Sequence, residues 1–243
     1  MKADYFGGGI AENYDADTVM SDPAVVSPAV DFLAALAAGG PALELGIGTG
    51  RIALPLSERG VAVHGIDLSP DMVAQLQAKP GSDAIGVTLG DFSTTRVDGS
   101  FRLAYLVYNT ITNLTTQEEQ VACFCNVAEH LEPGGCFVIE LEVPQIRRLP
   151  PGDTVRAFDI SPNHLGFDEL DVAQQLGVSH HYWFAGDSSG TFSMPFRYVW
   201  PAELDLMARI AGLRLRERWG GWRREPFTSD SIFHVSVWEK PAS

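Results

Sequence analysis

Three glycines at alternate positions, Gly46, Gly48 and Gly50, follow directly on the apolar run Ala42-Leu43-Glu44-Leu45. Glycine has no Cβ and takes positive φ without strain, so a strand running into such a turn leaves backbone amides facing any ligand that lies against it. The chemistry this supports is binding of a nucleotide-sized cofactor. A dinucleotide fingerprint, G-x-G-x-x-G, would need its third glycine where Arg51 stands, which disfavours a nicotinamide nucleotide. Taken alone, the loop also fits a strand-to-helix turn whose glycines serve only packing. Two acids downstream decide between these readings. Asp67, in His64-Gly65-Ile66-Asp67-Leu68-Ser69, closes a second apolar run, where a carboxylate can accept from both hydroxyls of a ribose; Asp91, in Gly90-Asp91-Phe92, follows the short segment Gly86-Val87-Thr88-Leu89.

These residues need a scaffold that brings strand ends together. Apolar strand segments fall near 42–46, 61–66, 86–89, 103–108 and 136–142, and helical periodicity falls near 50–58, 70–77 and 117–130. Alternation of this kind predicts a mainly parallel sheet with helices on both faces and ligands beyond the carboxyl ends of the strands. Glu44, Asp67, Asp91 and Asn109 would gather at that edge. A further helix is expected over Pro23–Ala38, stopped by Gly39-Gly40-Pro41.

The ordered set resembles class I S-adenosylmethionine-dependent methyltransferases: Glu44 with the glycine loop, Asp67, Asp91, and Leu131-Glu132-Pro133-Gly134-Gly135-Cys136 leading into a fifth strand. The likeness is specific over about residues 41–143. It implies a Rossmann-like, mainly parallel seven-stranded α/β sheet, and S-adenosylmethionine as methyl donor. In that scheme Gly46, Gly48 and Gly50 lie against the ribose and methionine portion and Glu44 orders the loop. Asp67 holds the ribose, and Gly90, Asp91 and Phe92 frame the adenine with Leu68 and Met72 as apolar neighbours. Asn109 contacts the methionine end, and Tyr14 closes over the cofactor. The final helix and two strands of the scheme match Pro201–Ala211, Leu213–Trp219 and Ile232–Glu239.

Between Val143 and Trp200 lies an insertion whose segments Val155–Ile160, Val178–Phe184 and Thr191–Val199 read as a small antiparallel sheet. The expected organisation is one domain over 1–243: a lead (1–40), a cofactor-binding core (41–143), a substrate cap (144–200), and a last helix and two strands (201–243). In Phe196-Arg197-Tyr198-Val199-Trp200, period-two alternation puts three aromatics on one face, as a substrate platform or a packed surface. The insert also makes a homodimer interface conceivable. Candidate groups for the chemistry are His180 and His181, whose side chains must point to opposite faces of a strand, Glu142 with Glu140 at the end of the fifth strand, and Tyr14.

Composition narrows the partner. With 17 Lys plus Arg against 31 Asp plus Glu, the formal charge of −14 repels polyanions. The fourth strand ends in Tyr108-Asn109-Thr110-Ile111-Thr112-Asn113 rather than the Asn/Asp-Pro-Pro-Tyr/Phe of enzymes acting on nucleobases. Nucleic acid is therefore not expected as a partner. No run reaches the roughly 18 apolar residues a membrane span needs, no metal site is called for, and Cys123, Cys125 and Cys136 are expected to be reduced, with a cytoplasmic location. The expected activity is methyl transfer to N or O of a small-molecule metabolite; the alternative is a non-catalytic S-adenosylmethionine-binding scaffold.

Overall fold

The computed structural model describes residues 4–16, 22–185 and 188–242. A short helix α1 (Gly9–Asn13) and a 3-10 turn (Tyr14–Ala16) form the lead, and α2 (Pro23–Ala37) follows. The Asp22 side chain accepts from the Ala24 N–H ahead of Pro23 at the first helical position, and Ala38 ends α2 in a left-handed turn.

Five strands, β1 (Ala42–Leu45), β2 (Val63–Asp67), β3 (Gly86–Leu89), β4 (Phe101–Leu106) and β5 (Leu131–Glu142), run parallel. Helices α3 (Ala53–Glu58), α4 (Pro70–Gln77) and α5 (Gln117–His130) connect them. The cap strands β6 (Val155–Ser161), β7 (His164–Asp171), β8 (Leu176–Ala185) and β9 (Ser188–Arg197) come next, then α6 (Pro201–Ile210), β10 (Arg214–Trp219) and β11 (Phe233–Glu239). The large sheet has the order β10-β11-β5-β4-β1-β2-β3, with β11 antiparallel to both neighbours. Strand order reverses between β1 and β4, so the cleft opens there.

Burial on both faces explains why the central strands are apolar throughout. Leu33 and Leu56 pack with Leu103 and Val138 on one face, and Phe124 and Met207 with Phe137 and Trp238 on the other. Phe124 meets Phe137 and Trp238 edge-on at 5.1 and 5.4 Å. Among the described residues no helix is long and apolar enough to cross a membrane.

Two local expectations need correction. The fifth strand begins at Leu131 rather than near 136: α5 ends at His130, Leu131 already pairs with Phe101, and residues 132–135 bulge out before Cys136 pairs with Leu103. The cap has four strands rather than three, in the sequential antiparallel order β6-β7-β8-β9. The extra strand, β7, carries Asp168, Glu169 and Asp171, residue types depleted in strands, and so reads locally as a loop.

A buried polar cluster pins the cap to the core. The Arg197 guanidinium donates to Gln120 Oε1 at 2.5 Å and Glu203 Oε1 at 2.7 Å, while Gln120 Nε2 donates to the carbonyls of Ile111, Leu114 and Arg197. Gln175 Nε2 donates to the other Glu203 oxygen. Removing one member of a buried ion pair leaves its partner desolvated and unpaired, so Arg197→Ala is expected to destabilise the fold by about 3 kcal/mol in urea unfolding. The double variant Arg197→Met/Glu203→Leu should recover most of that loss; equal losses in both would show that the charges themselves stabilise the junction.

Candidate active site

The loop after β1 is built from positive-φ glycines: Gly46 at 73°, Gly48 at 53° and Gly50 at 78°. Space enforces two of them as well. A Cβ on Gly46 would sit 2.6 Å from the Thr110 methyl and one on Gly50 2.3 Å from a Leu76 methyl. Asp67 then locks the loop: its two carboxylate oxygens accept from the Gly48 N–H at 2.7 Å and the Ser69 N–H at 2.9 Å. Ser69 caps α4 by accepting from the Met72 N–H. Beneath the loop Glu44 is buried and accepts from the Tyr105 hydroxyl at 2.9 Å. Burial, reinforced by the nearby Asp67 charge and opposed by that hydrogen bond, pushes Glu44 up to about 8.

A cavity of about 230 Å³ lies against this loop. Glu44, Gly46, Gly48, Asp67, Leu68, Met72, Asp91 and Phe92 line it, together with Tyr14. Gly50 and Gly90 do not line it. Gly50 packs under Leu76 and Leu54, and Gly90 lies under Thr95 while its N–H donates to the Asp67 carbonyl. Asp91 accepts from the Ser93 amide and hydroxyl, which holds Phe92 in the wall. The lead covers the mouth: Asp15 accepts from the Thr49 hydroxyl at 2.8 Å and pairs with Lys79 at 2.6 Å, and the Gly8 N–H donates to Asp71.

Arg51 has a role that its place in the sequence conceals. Its guanidinium is sandwiched between the rings of Tyr14, at 5.0 Å, and Tyr108, at 4.6 Å. Among the described residues Nε and Nη1, both buried, have no hydrogen-bond partner at the wall of the cavity. A buried guanidinium with open donors is costly unless an anion completes it. S-adenosylmethionine would meet that demand: Arg51 would hold its α-carboxylate, Asp67 its ribose, and Leu68, Met72 and Phe92 would flank its adenine. When bound, it supplies an electrophilic methyl group on a sulfonium.

Asn109 departs from expectation. Tyr108 and Asn109 are both left-handed, at φ 53° and 61°, an arrangement that costs on the order of 1–3 kcal/mol per residue and needs outside support. Glu140 supplies it: its carboxylate accepts from the Tyr108 N–H and from Trp222 Nε1–H. Asn109 Oδ1 accepts from the Glu142 N–H at 2.7 Å, and its side chain faces a second chamber rather than the cofactor cavity. Glu140, a candidate for acceptor binding, is thus occupied with holding this turn. Thr116 caps α5, in a reciprocal box with Glu119.

The second chamber, of about 460 Å³, lies between the sheet edge and the cap. It shares Phe6, Tyr14, Tyr108, Thr110, Asn113 and Met194 with the cofactor cavity, so the two are contiguous. Glu142, Asp168, Arg156, Ser179 and His181 supply its polar groups, and Phe158, Phe196 and Tyr198 its aromatic walls. Trp200 falls outside it, because β9 ends at Arg197 and Trp200 is the residue that precedes α6. His181 faces the chamber; His180 does not line it and meets Ser193 and Phe167. Burial raises both Glu142 and Asp168 above the ordinary carboxyl range, with Arg156 opposing. Asp168 and Arg156 escaped the sequence reading, Asp168 because it lies on the unforeseen β7, and Arg156 because nothing in its local sequence distinguishes it from a solvated edge.

Comparison with known proteins agrees with this architecture. The methyltransferase-domain family matches residues 42–135. The CcbJ methyltransferase from Streptomyces caelestis is 35% identical over the whole of both chains and superposes with a TM-score of 0.89. Cypemycin N-terminal methyltransferase of a Streptomyces species is 29% identical over 209 residues, covering 83% of this chain and 84% of that protein. The fold is shared with CalS10 from Micromonospora echinaspora, an amino pentose methyltransferase solved with S-adenosylmethionine bound, at 20% identity, 99% coverage of both chains and a TM-score of 0.73.

Two outcomes follow for the cofactor cavity. Asp67→Ala and Arg51→Met should each weaken S-adenosylmethionine binding at least about tenfold in titration calorimetry, since each removes a charged hydrogen-bonding partner. Glu44 is an acid raised from 4.5 to about 8 on folding. Across that window the unfolded chain releases a proton that the folded chain keeps, so this group lowers stability as pH rises from about 4.5 to 8. Glu44→Gln should therefore melt higher than the wild type at pH 8.5 by a margin that shrinks toward pH 5. The glycine loop locked by Asp67, the open guanidinium of Arg51 and the end-to-end likeness to CcbJ lead to one conclusion: the chain belongs to the class I S-adenosylmethionine-dependent methyltransferases.

Proposed function

We propose that the chain methylates an amine nitrogen of a small-molecule metabolite. The observation that carries this reading is the pair of carboxylates, Glu142 and Asp168, in the wall of the second chamber, both raised by burial. Desolvated carboxylates gain from a cation placed between them, and an ammonium group is such a cation. The aromatic walls suit the carbon frame that bears it.

Relatives support the same reading. Cypemycin N-terminal methyltransferase acts, by its name, on an amino group. A second relative, dTDP-3-amino-3,4,6-trideoxy-alpha-D-glucopyranose N,N-dimethyltransferase of Streptomyces venezuelae, is 32% identical over 98 residues, 40% of each chain. The chemistry asked of the chain is chiefly positioning. Holding nucleophile and methyl carbon at near-attack distance supplies roughly 7–11 kcal/mol in well-oriented cases. Tyr14, Tyr108 and Met194 lie on the boundary between the two spaces, where that encounter must occur.

Release of S-adenosylhomocysteine with glucosamine, prolinamide and tyramine, each set against its hydroxyl-only counterpart, tests the proposal. Turnover is expected with an amine and not with its counterpart; methylation confined to hydroxyls would overturn the nitrogen reading, and no turnover with any acceptor would favour a binding scaffold. Glu142→Gln and Asp168→Asn should raise KM for the amine about tenfold or more while leaving the cofactor Kd unchanged.

A further inference from the structure

The cap contains an unbroken line of polar side chains that runs from the acceptor chamber to solvent. Ser179 Oγ, in the chamber wall, lies 3.3 Å from His181 Nε2; His181 Nδ1 lies 3.0 Å from His164 Nε2; His164 Nδ1 lies 2.6 Å from Asp159 Oδ2. The Asp159 side chain is 43% exposed and that of His164 18%. We propose that Asp159, His164, His181 and Ser179 form a proton relay that carries the acceptor's proton from the chamber to solvent, an inference that rests on the amine reading above.

Local structure shows how the line is built. Regular alternation along β6 would aim Asp159 away from the chamber, but the register shifts between Ala157 and Asp159, so Asp159 pairs with Gly166 and joins the face that carries His164. A bulge re-aims a side chain in this way. Gly166 makes room for it, since a Cβ there would sit 2.2 Å from the Phe158 ring. Trp183 stacks on both imidazoles at 5.4 Å, and Phe158 packs on His181 at 5.2 Å.

The hydrogen-bond order is dictated from the solvent end. A carboxylate only accepts, so His164 Nδ1 carries a proton toward Asp159 and its Nε2 is left to accept from His181 Nδ1–H. His181 Nε2 then presents a lone pair toward Ser179, whose single hydroxyl proton goes either to it or to the Asp168 carboxylate; the relay uses the rotamer that faces His181, with Asp168 engaged by the acceptor's ammonium group. A protonated acceptor must lose a proton before its nitrogen can attack. That proton passes to Ser179 Oγ as the serine proton moves to His181 Nε2 and the His181 Nδ1 proton moves to His164 Nε2; the imidazolium beside Asp159 then discharges to water. The freed nitrogen pair forms the N–C bond to the methyl group while the C–S bond breaks with its electrons going to sulfur. Burial and the imidazoles of His164 and His180 hold His181 below its ordinary value, which suits a group that passes a proton on rather than keeping it. The charged groups around the line are Arg156 on β6, Asp168 on β7, which Ser179 also bonds, and Glu142 on β5; β9 contributes the uncharged Phe192 and Met194.

Long-range 1H–15N spectra of the histidine-labelled full chain test the relay without any acceptor. His164 and His181 should both be protonated at Nδ1 and bare at Nε2; Asp159→Leu should shift the His181 signals although the two side chains do not touch, and Asp159→Asn, which keeps an accepting oxygen, should restore the pattern. With whichever amine of the panel is turned over, Asp159→Leu should lower kcat about tenfold at pH 7 and recover at pH 9, where more of the amine arrives unprotonated. A proton on His181 Nε2, signals indifferent to Asp159→Leu, or equal losses at both pH values would overturn the relay. A panel in which only hydroxyls react would overturn the amine reading and leave the tautomer result to decide the relay.

Discussion

The contact on which the site depends is the Asp67 carboxylate accepting from the Gly48 N–H. It ties the end of β2 to the loop after β1, so two neighbouring strands and the helix capped by Ser69 are fixed relative to one another by one side chain. The positive-φ glycines make that approach possible, and the parallel sheet, reversing its order between β1 and β4, places the loop at the mouth of the cleft. Glu44 below and Arg51 beside the loop then sit in a desolvated region where charge is expensive. The cavity is therefore prepared for a ligand that brings its own charges.

On the other side of that cavity the structure accepts backbone strain to shape a second one. Tyr108 and Asn109 stay left-handed because Glu140 and the Glu142 amide hold them. The turn presents the Tyr108 ring to Arg51 and the Asn109 side chain to the second chamber, so one irregular dipeptide divides the two spaces. The cap closes the far wall and is itself held by the buried Arg197–Glu203 pair. First cavity, partition and cap thus form a chain of dependencies, each resting on a polar contact between segments, in the cap's case the one from Arg197 to Gln120.

How legible this was differs from residue to residue. The glycine loop, Asp67 and Asp91 could be read locally, because their signals are a glycine spacing and an acid after an apolar run. Arg51 was visible only as a misfit to another motif; that it stacks between Tyr14 and Tyr108 depends on residues 37 positions before and 57 after it. Asp168 was hidden because acids argue against a strand unless the face they sit on is known. His181 was distinguishable from His180 by alternation, yet its neighbour His164 was not, since β7 itself went unread.

The sequence by itself determined the donor side of this protein: the fold class, the parallel core, the loop and the acids at its edge, all properties of short segments with regular periods. The tertiary structure alone decided the second chamber and its cap. There the Asp159 bulge, the left-handed pair at Tyr108 and Asn109, the reassignment of Glu140 to a structural task, and the meeting of Glu142 with Asp168 arise from contacts between distant strands. Local propensity carries no record of such contacts, because burial and partner choice are settled only when the sheets pack.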